Sequence, residues 1–345
     1  MDTVAACLLA IIAAVLPTVA YVLILWWFDR YEKEPRRLLL AAFVWGAVPA
    51  IILSLMAEVV LGASLGDLTE GAAELMSSSL LAPVVEESVK GLALLLLFLL
   101  FRREFDNVLD GIIYGATIGF GFAMTENAFY FMRSLRLVGP EGLTLTVLLR
   151  SFIFGLNHAL FTSAFGASLG YARLSKEGCL RWFIPSLGLL GAMLLHATHN
   201  LFASLTSVTC FSLVVSLVSD WGGLLVIAVV MALAWQQEKR WLATHLKAEV
   251  ASGLISQEDY DMVGSYRRRL TAQWRALTQQ DGKEARRLGQ LAQLATELAF
   301  KVEQGDEGEA QKLRGQIAAL RKQATESSHG RAGSAGEGKQ QNSSP

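Results

Sequence analysis

Long apolar runs separated by short basic loops fill the first two thirds of the chain. A bilayer core takes about 20 apolar residues per helix. Seven segments meet that length, at roughly 4–27, 38–62, 80–101, 109–132, 149–172, 182–203 and 209–235. The last is interrupted by Ser219, Asp220, Trp221, Gly222 and Gly223, which allows two pieces and an eighth crossing. The first lacks a basic leader and a small-residue cleavage site, so it reads as a span and not as a signal peptide. Beyond Trp235 the pattern changes to a helical period, with Leu288, Leu291, Leu294 and Leu298 on one face. Ser256 with Asp259 reads as an N-cap and acidic first turn, and Gly305 to Gly308 as the turn of a helical hairpin. Residues 324–345 carry no apolar period and are expected to be disordered.

Charge follows the same division. Residues 1–235 hold 13 Lys and Arg against 17 Asp and Glu, whereas residues 236–345 hold 17 against 14. The first part is too poor in charge for a water-facing surface. The expected fold class is therefore all-α, a polytopic integral membrane bundle of about seven transmembrane helices, with eight as the alternative, followed by a cytoplasmic helical segment. The expected domains are a membrane core at 1–236, a helical region at 237–323 and the tail from 324. Three cysteines far apart exclude a disulfide scaffold. A net charge of −1 without a basic stripe gives no case for nucleic acid as a partner.

Lys and Arg in the short loops set the orientation. Arg30, Lys33, Arg36, Arg37, Arg102, Arg103, Arg173, Lys176, Arg181, Lys239 and Arg240 fall on one side; Arg133, Arg136 and Arg150 fall on the other. This bias predicts a multi-pass protein of the cell membrane with its N-terminus extracytoplasmic and its C-terminal tail in the cytoplasm.

The residues that carry chemistry are those an apolar span should not contain, because a charge at mid-membrane costs roughly 2.5–3.5 kcal/mol on insertion scales. They are Glu86, Glu87 and Lys90 in the third span, Glu126 in the fourth, His158 in the fifth, and His196 and His199 in the sixth. Asn127, Asn157 and Asn200 accompany them. At about 1.5 Å per residue, all fall within roughly 15 Å of the outer face. Each also has a plain structural reading. Glu86 and Lys90 are four residues apart and can neutralise one another. Glu126 with Asn127 can join two helices, and His196 can bond Asn200 along one helix face. Four helices that bring acids and imidazoles to one depth nevertheless point to a reaction site.

Adjacent carboxylates differ by about 100° of helix rotation, so one can face Lys90 while the other faces a cavity and activates water. Imidazoles opposite could stabilise an oxyanion, or hold zinc together with a carboxylate and a water. The residues leave open metal catalysis, with His158 and His196 as ligands, and metal-free catalysis by glutamate-activated water. No cysteine sits in this layer, which argues against a thiol nucleophile.

Several motifs resemble one known family. They are Asp29 to Pro35 after the first span, Pro83 to Lys90 with its Glu-Glu-x-x-Lys, Asp110 to Asn127, His158 with the following Gly166 and Gly170, and His196 to Asn200. Over about residues 20–203 the chain resembles the PrsW-type intramembrane proteases, of the superfamily that includes CAAX-type prenyl endoproteases and bacteriocin-processing enzymes. The resemblance implies peptidase activity on a membrane-anchored protein substrate such as an anti-sigma factor. It further implies paired catalytic glutamates at Glu86 and Glu87 with Lys90 beside them, Glu126 and Asn127 as a second motif, His158 as a third, and His196 with Asn200 as a fourth. His199 departs from the family pattern. Alternatives of other classes are a non-catalytic scaffold or receptor of the same fold, and an ion- or proton-coupled transporter. The transporter predicts matching repeat halves, and none is visible.

Overall fold

The computed structural model describes residues 3–29, 31, 33–66, 68–175, 178–279 and 281–337, so Arg30 and Lys176 of the basic loops and the tail beyond Glu337 lie outside the described residues. Described residues form helices and connecting turns, with no strand among them. They are α1 (Thr3–Phe28), α2 (Arg36–Trp45), α3 (Ile51–Gly62), α4 (Glu70–Met76), α5 (Ala82–Leu100), α6 (Val108–Leu137), α7 (Pro140–Val147), α8 (Asn157–Leu174), α9 (Leu180–Ser204), α10 (Cys210–Ala251), α11 (Gln257–Val263), α12 (Tyr266–Thr278), α13 (Gly282–Gln304) and α14 (Glu307–Glu337). By length and apolar composition five helical stretches among the described residues can cross a membrane: Val4–Phe28, Arg36–Leu65, Val108–Leu137, Pro140–Leu174 and Cys210–Ala251. The protein is a polytopic helical membrane protein. Its exposed leucines, valines and isoleucines on α1, α3 and α10 are what lipid-facing helices present.

The chain divides into two compact units, Met1–Asp29 with Lys33–Ala234, and Arg30–Glu32 with Trp235–Pro345. In the first, α6 is the central helix: 83% of its apolar window is buried, against 17% for α1 and 11% for α10. It starts at a capping box in which Asn107 Oδ1 accepts the Leu109 and Asp110 amides and Asp110 Oδ2 accepts the Asn107 amide. Glycine lets α6 and α8 approach backbone to backbone. A Cβ on Gly111 would lie 2.0 Å from the Gly166 carbonyl oxygen, and one on Gly119 would lie 2.3 Å from that of His158. The second contact brings the start of α8 directly against α6.

Three π-helical turns, Gly46–Ala50, Ser77–Leu81 and Leu148–Ile153, interrupt the regular ladder. Such turns release carbonyls that an apolar surrounding must satisfy. Each is satisfied by a side chain from another helix: Thr125 donates to Ala47 O at 2.7 Å, Asn200 to Ser78 O at 2.9 Å and Tyr21 to Ser151 O at 2.7 Å. The predicted fifth span breaks at Phe154–Leu156, so His158 stands in the first turn of α8 and not nine residues inside a continuous helix. Gly155 makes the break possible, since a Cβ there would lie 2.1 Å from Ser151 O.

The last predicted span is a single helix. Ser219 to Gly223 do not break α10, which runs unbroken from Cys210 to Ala251, so the two-piece reading does not hold. Two glycines in a row cost helix propensity, but the buried Asp220 is partnered by side chains and the turn closes.

In the second unit, Ser256 is the expected N-cap and forms a capping box with Asp259, and Gly305 at φ 76° ends α13 before α14. Helix α14 continues past residue 324 to Glu337; the rest of the expected disordered tail, 338–345, lies outside the described residues. Arg269 is a buried tie within this unit. It donates to Val263 O at 2.8 Å, Tyr31 O at 3.0 Å and Thr296 Oγ1 at 2.7 Å. Burial pulls its guanidinium down to about 10.

Candidate active site

Glu86, Glu87 and Lys90 share one stretch of α5, and all three are buried. Lys90 Nζ donates to Glu87 Oε1 at 2.5 Å and lies 3.5 Å from Glu86 Oε2. Both glutamates therefore face the lysine, where the helical offset had suggested that one would turn away. Residues at i+3 and i+4 from a long side chain are both within its reach. Glu87 is held further by Thr162 Oγ1 at 3.0 Å and by His196 Nδ1 at 3.0 Å. Lys90 also lies over the Phe122 ring, 4.3 Å from its centre.

His158 joins two helices. Its Nε2 lies 2.8 Å from Glu126 Oε2 and its Nδ1 lies 3.4 Å from Lys90 Nζ. A carboxylate only accepts, so Nε2 carries the proton and Nδ1 presents its lone pair. The same reasoning gives His196 a protonated Nδ1 on Glu87, while its Nε2 faces Glu86 Oε2 at 3.9 Å. The two imidazoles meet edge to face at 5.1 Å, and Phe161 stacks on His196 at 4.8 Å. Glu86, His158 and His196 can each offer one ligand atom such that the three lie within 4.8 Å of one another. Tetrahedral bonds of about 2.0–2.2 Å hold ligand atoms roughly 3.5 Å apart, so small side-chain rotations close this triangle on one ion. Each imidazole gives its other nitrogen to a carboxylate, the usual outer support of a metal-bound histidine.

The structure brings together Glu86, Glu87, Lys90, Glu126, His158 and His196. Asn127 sits beside this set and accepts from Arg150 Nε at 2.7 Å. Asn200 does not bond His196; it turns to the carbonyl of Ser78, whose π-turn leaves that oxygen free.

Sequence reasoning missed four contributors. Arg150 entered only as a loop charge, yet it donates to Glu126 Oε2 at 2.6 Å and packs over Tyr130. The π-turn that aims it has no sequence signal. Thr162, one hydroxyl among many, holds Glu87. Asp220 falls in what the sequence presents as a helix interruption, although an acid in an apolar span calls for a partner. That partner is the pair His199 and Asn157: Asp220 Oδ2 lies 2.7 Å from His199 Nδ1, 2.9 Å from Asn157 Nδ2 and 3.4 Å from Ser216 Oγ, the fourth residue missed. A cavity of about 340 Å³ runs between the two clusters, with Glu126, His158, Arg150, Asn157 and His199 on its walls.

Residues 34–240 match the profile described as PrsW family intramembrane metalloprotease. The chain belongs to the PrsW family. Among curated relatives, the Protease PrsW of Geobacillus kaustophilus is 32% identical over 165 residues, covering 48% of this chain and 67% of the relative. That of Bacillus subtilis is 28% identical over 189 residues, covering 54% and 79%. That of Clostridioides difficile is 36% identical over 109 residues, covering 31% and 44%. No solved structure matches the chain. Membership makes this protein an intramembrane protease, and its PrsW match reaches only six residues beyond Ala234, so most of the second unit lies outside the shared region.

Proposed function

We propose that this PrsW-family protein is a metal-dependent peptidase whose centre is built from Glu86, His158 and His196, with zinc as the ion. What carries the reading is the meeting of those three donors within 4.8 Å, each imidazole backed by a carboxylate. A bound divalent ion supplies Lewis-acid charge and acidifies water. The protein supplies the rest. Glu87 and Glu126 fix the two ring orientations, and Lys90 holds Glu87 in place. Glu126 takes both His158 and Arg150 on one oxygen, Oε2, and lines the cavity by which water enters. It receives the proton of the attacking water as the new C–O bond forms, and returns it to the departing amine as the C–N bond breaks.

The substrate is a membrane-anchored protein, such as an anti-sigma-factor-like regulator, that enters from the lipid bilayer. With the basic loops inside, the site lies in the outer part of the membrane and the cut falls near the extracytoplasmic boundary. Cysteine placed at Ala82 or Leu201 should then react with an impermeant thiol reagent added to intact cells. Labelling only after the cytoplasmic side is opened would reverse the topology.

One observation favours a second, metal-free reading. The Lys90 ammonium lies within 3.5 Å of Glu86, Glu87 and His158, where it can serve as the resident cation while Glu86 activates water. Metal analysis of detergent-purified protein decides between them. The metal reading expects about one equivalent of zinc, lost in His158→Ala and His196→Ala, with cleavage of a tagged substrate stopped by chelation. Metal-free protein that cleaves fully in chelator overturns it.

A further inference from the structure

Beyond Ala234, outside the membrane unit, the large apolar side chains exposed to solvent among the described residues are three: Leu270 at 49%, Trp274 at 69% and Leu277 at 55%. All three lie on α12. At 100° per residue they fall within about 60° of one another and form one stripe along the helix. Arg267, Arg275 and Arg268 are also exposed and continue round the helix from the stripe's edge, about 20°, 100° and 120° beyond Trp274. The remaining side of α12, opposite the exposed face as a whole, is where the helix is held: Ala276 is buried, and Arg269 is spent on Val263, Tyr31 and Thr296. Of the flanking arginines, Arg268 has an exposed ion pair with Asp261 at 3.6 Å. Such a solvent-exposed contact is weak.

We propose that this face of α12 is a docking surface for an anionic lipid bilayer, lying flat in the headgroup layer. An exposed tryptophan and leucines beside arginines is the composition of helices that rest in a membrane interface, with the rings and aliphatic groups at the acyl boundary and the cations among lipid phosphates. Charge complementarity selects the lipid. The arginines match phosphate, and each basic residue near an anionic surface strengthens the contact about fivefold. Helix α10 carries the chain without a break from an apolar span into the sequence leading to α12, which tethers the stripe to a membrane-spanning helix. Burying the stripe also removes from water the unit's exposed tryptophan, which no neighbouring helix covers.

The test uses the full chain with Cys7, Cys179 and Cys210 replaced by serine, reconstituted in nanodiscs. One form carries an environment-sensitive fluorophore at Thr271→Cys, beside the stripe; a control carries it at the exposed Gln290→Cys on α13. Discs are of phosphatidylcholine alone or with about one third phosphatidylglycerol. In the anionic discs the label at 271 should shift to the blue, be quenched by headgroup spin-labelled lipid and be shielded from iodide, while that at 290 stays aqueous. Combined Arg267→Gln, Arg268→Gln and Arg275→Gln should weaken the shift by on the order of 100-fold in lipid partitioning, and high salt should act likewise. Retained helicity and monodispersity of the variants separate lost docking from lost folding. Aqueous exposure at 271 in both kinds of disc overturns the proposal. So does shielding that is equal in both discs and indifferent to the arginines, which would assign the stripe to a protein partner or a second copy.

Discussion

Two polar clusters share the same pair of helices in the membrane unit, and they are built on opposite principles. In the first, α8 supplies His158 and α9 supplies His196; in the second, the neighbouring Asn157 and His199 come from the same helices. The second cluster converges on one atom. His199, Asn157 and Ser216 all approach Asp220 Oδ2, and Asp220 is fully buried. A single Nδ1 proton aimed at the carboxylate commits His199 on that side, so the donors are consumed by one acceptor. The first cluster has three carboxylates around two imidazoles and a lysine; His158 Nδ1 is met by the Lys90 ammonium at 3.4 Å, and His196 Nε2 points at Glu86 Oε2 at 3.9 Å without a hydrogen bond. The second cluster's donors end on one carboxylate oxygen and tie α8, α9 and α10 together, with Asp220 Oδ1 and Asn157 Oδ1 left unpartnered. In the first, two imidazoles and a carboxylate converge within reach of one cation or reacting water.

Changes in the first cluster should have the largest effects. Glu86→Gln and Glu126→Gln should each reduce cleavage of a membrane-anchored reporter by on the order of 10²–10⁴-fold, the usual worth of a positioned acid or base. Abundance and melting temperature in detergent should stay close to the wild type, because glutamine keeps the shape and one acceptor. If the protein disappears along with the activity, the cluster is a structural one.

Lys90→Met reverses the emphasis. Lys90 is completely buried and contacts two buried glutamates. Removing the ammonium leaves their charge uncompensated, and breaking a buried pair in this way costs about 3–5 kcal/mol. The expected result is a large fall in melting temperature. If a divalent ion takes over the lysine's electrostatic role, added zinc should restore part of that fall, which would sharpen the assignment of the donors. No response to zinc would favour the lysine as the resident cation.

The sequence made the first cluster legible because its members violate a strong rule: ionisable side chains do not belong in apolar spans without a purpose. Glu86, Glu87, Lys90, Glu126, His158 and His196 all violate it and all converge. The helical class was legible for the same reason, from segment length and the shortage of charge. What stayed hidden depends on backbone irregularity. Arg150 reaches Glu126 from a π-turn, and His158 heads a new helix after the break at Phe154–Leu156. Hydropathy averages over both features. Asp220 stays hidden because Gly222 and Gly223 after it look like helix punctuation, whereas α6 shows how this fold uses glycine inside helices to bring backbones together.

In the second cluster, Asp220→Ala should cost about 1–3 kcal/mol, the price of leaving buried donors on His199 and Asn157 without their acceptor. The measurement is thermal unfolding in detergent beside cleavage rate per folded molecule. A strut predicts that stability falls while the turnover of the remaining folded protein holds. A fall in turnover at unchanged stability would instead draw His199 into the reaction, through the cavity wall it shares with Glu126 and His158.

The smallest effect is expected at Ser216, and it tests how the second cluster divides its load. Ser216 Oγ lies 3.0 Å from His199 Nδ1 and 3.4 Å from Asp220 Oδ2, both longer than the 2.7 Å between His199 and Asp220. Since Nδ1 has one proton and gives it to the aspartate, the serine can contribute only a long bond to an oxygen already served by two better donors. Ser216 and Asp220 lie four residues apart on α10, so this bond joins no two helices. Even bonds between membrane helices average roughly 0.6 kcal/mol in double-mutant cycles, and this one should fall at or below that. Ser216→Ala should therefore be nearly silent in stability and silent in turnover. In the Asp220→Ala background its effect should stay small, limited to the 3.0 Å contact of Ser216 Oγ with His199 Nδ1, because the carboxylate acceptor is gone. A coupling energy clearly above the average would show that the hydroxyl takes a real share of the aspartate's charge, and the cluster would then rest on all three donors and not on the histidine and asparagine.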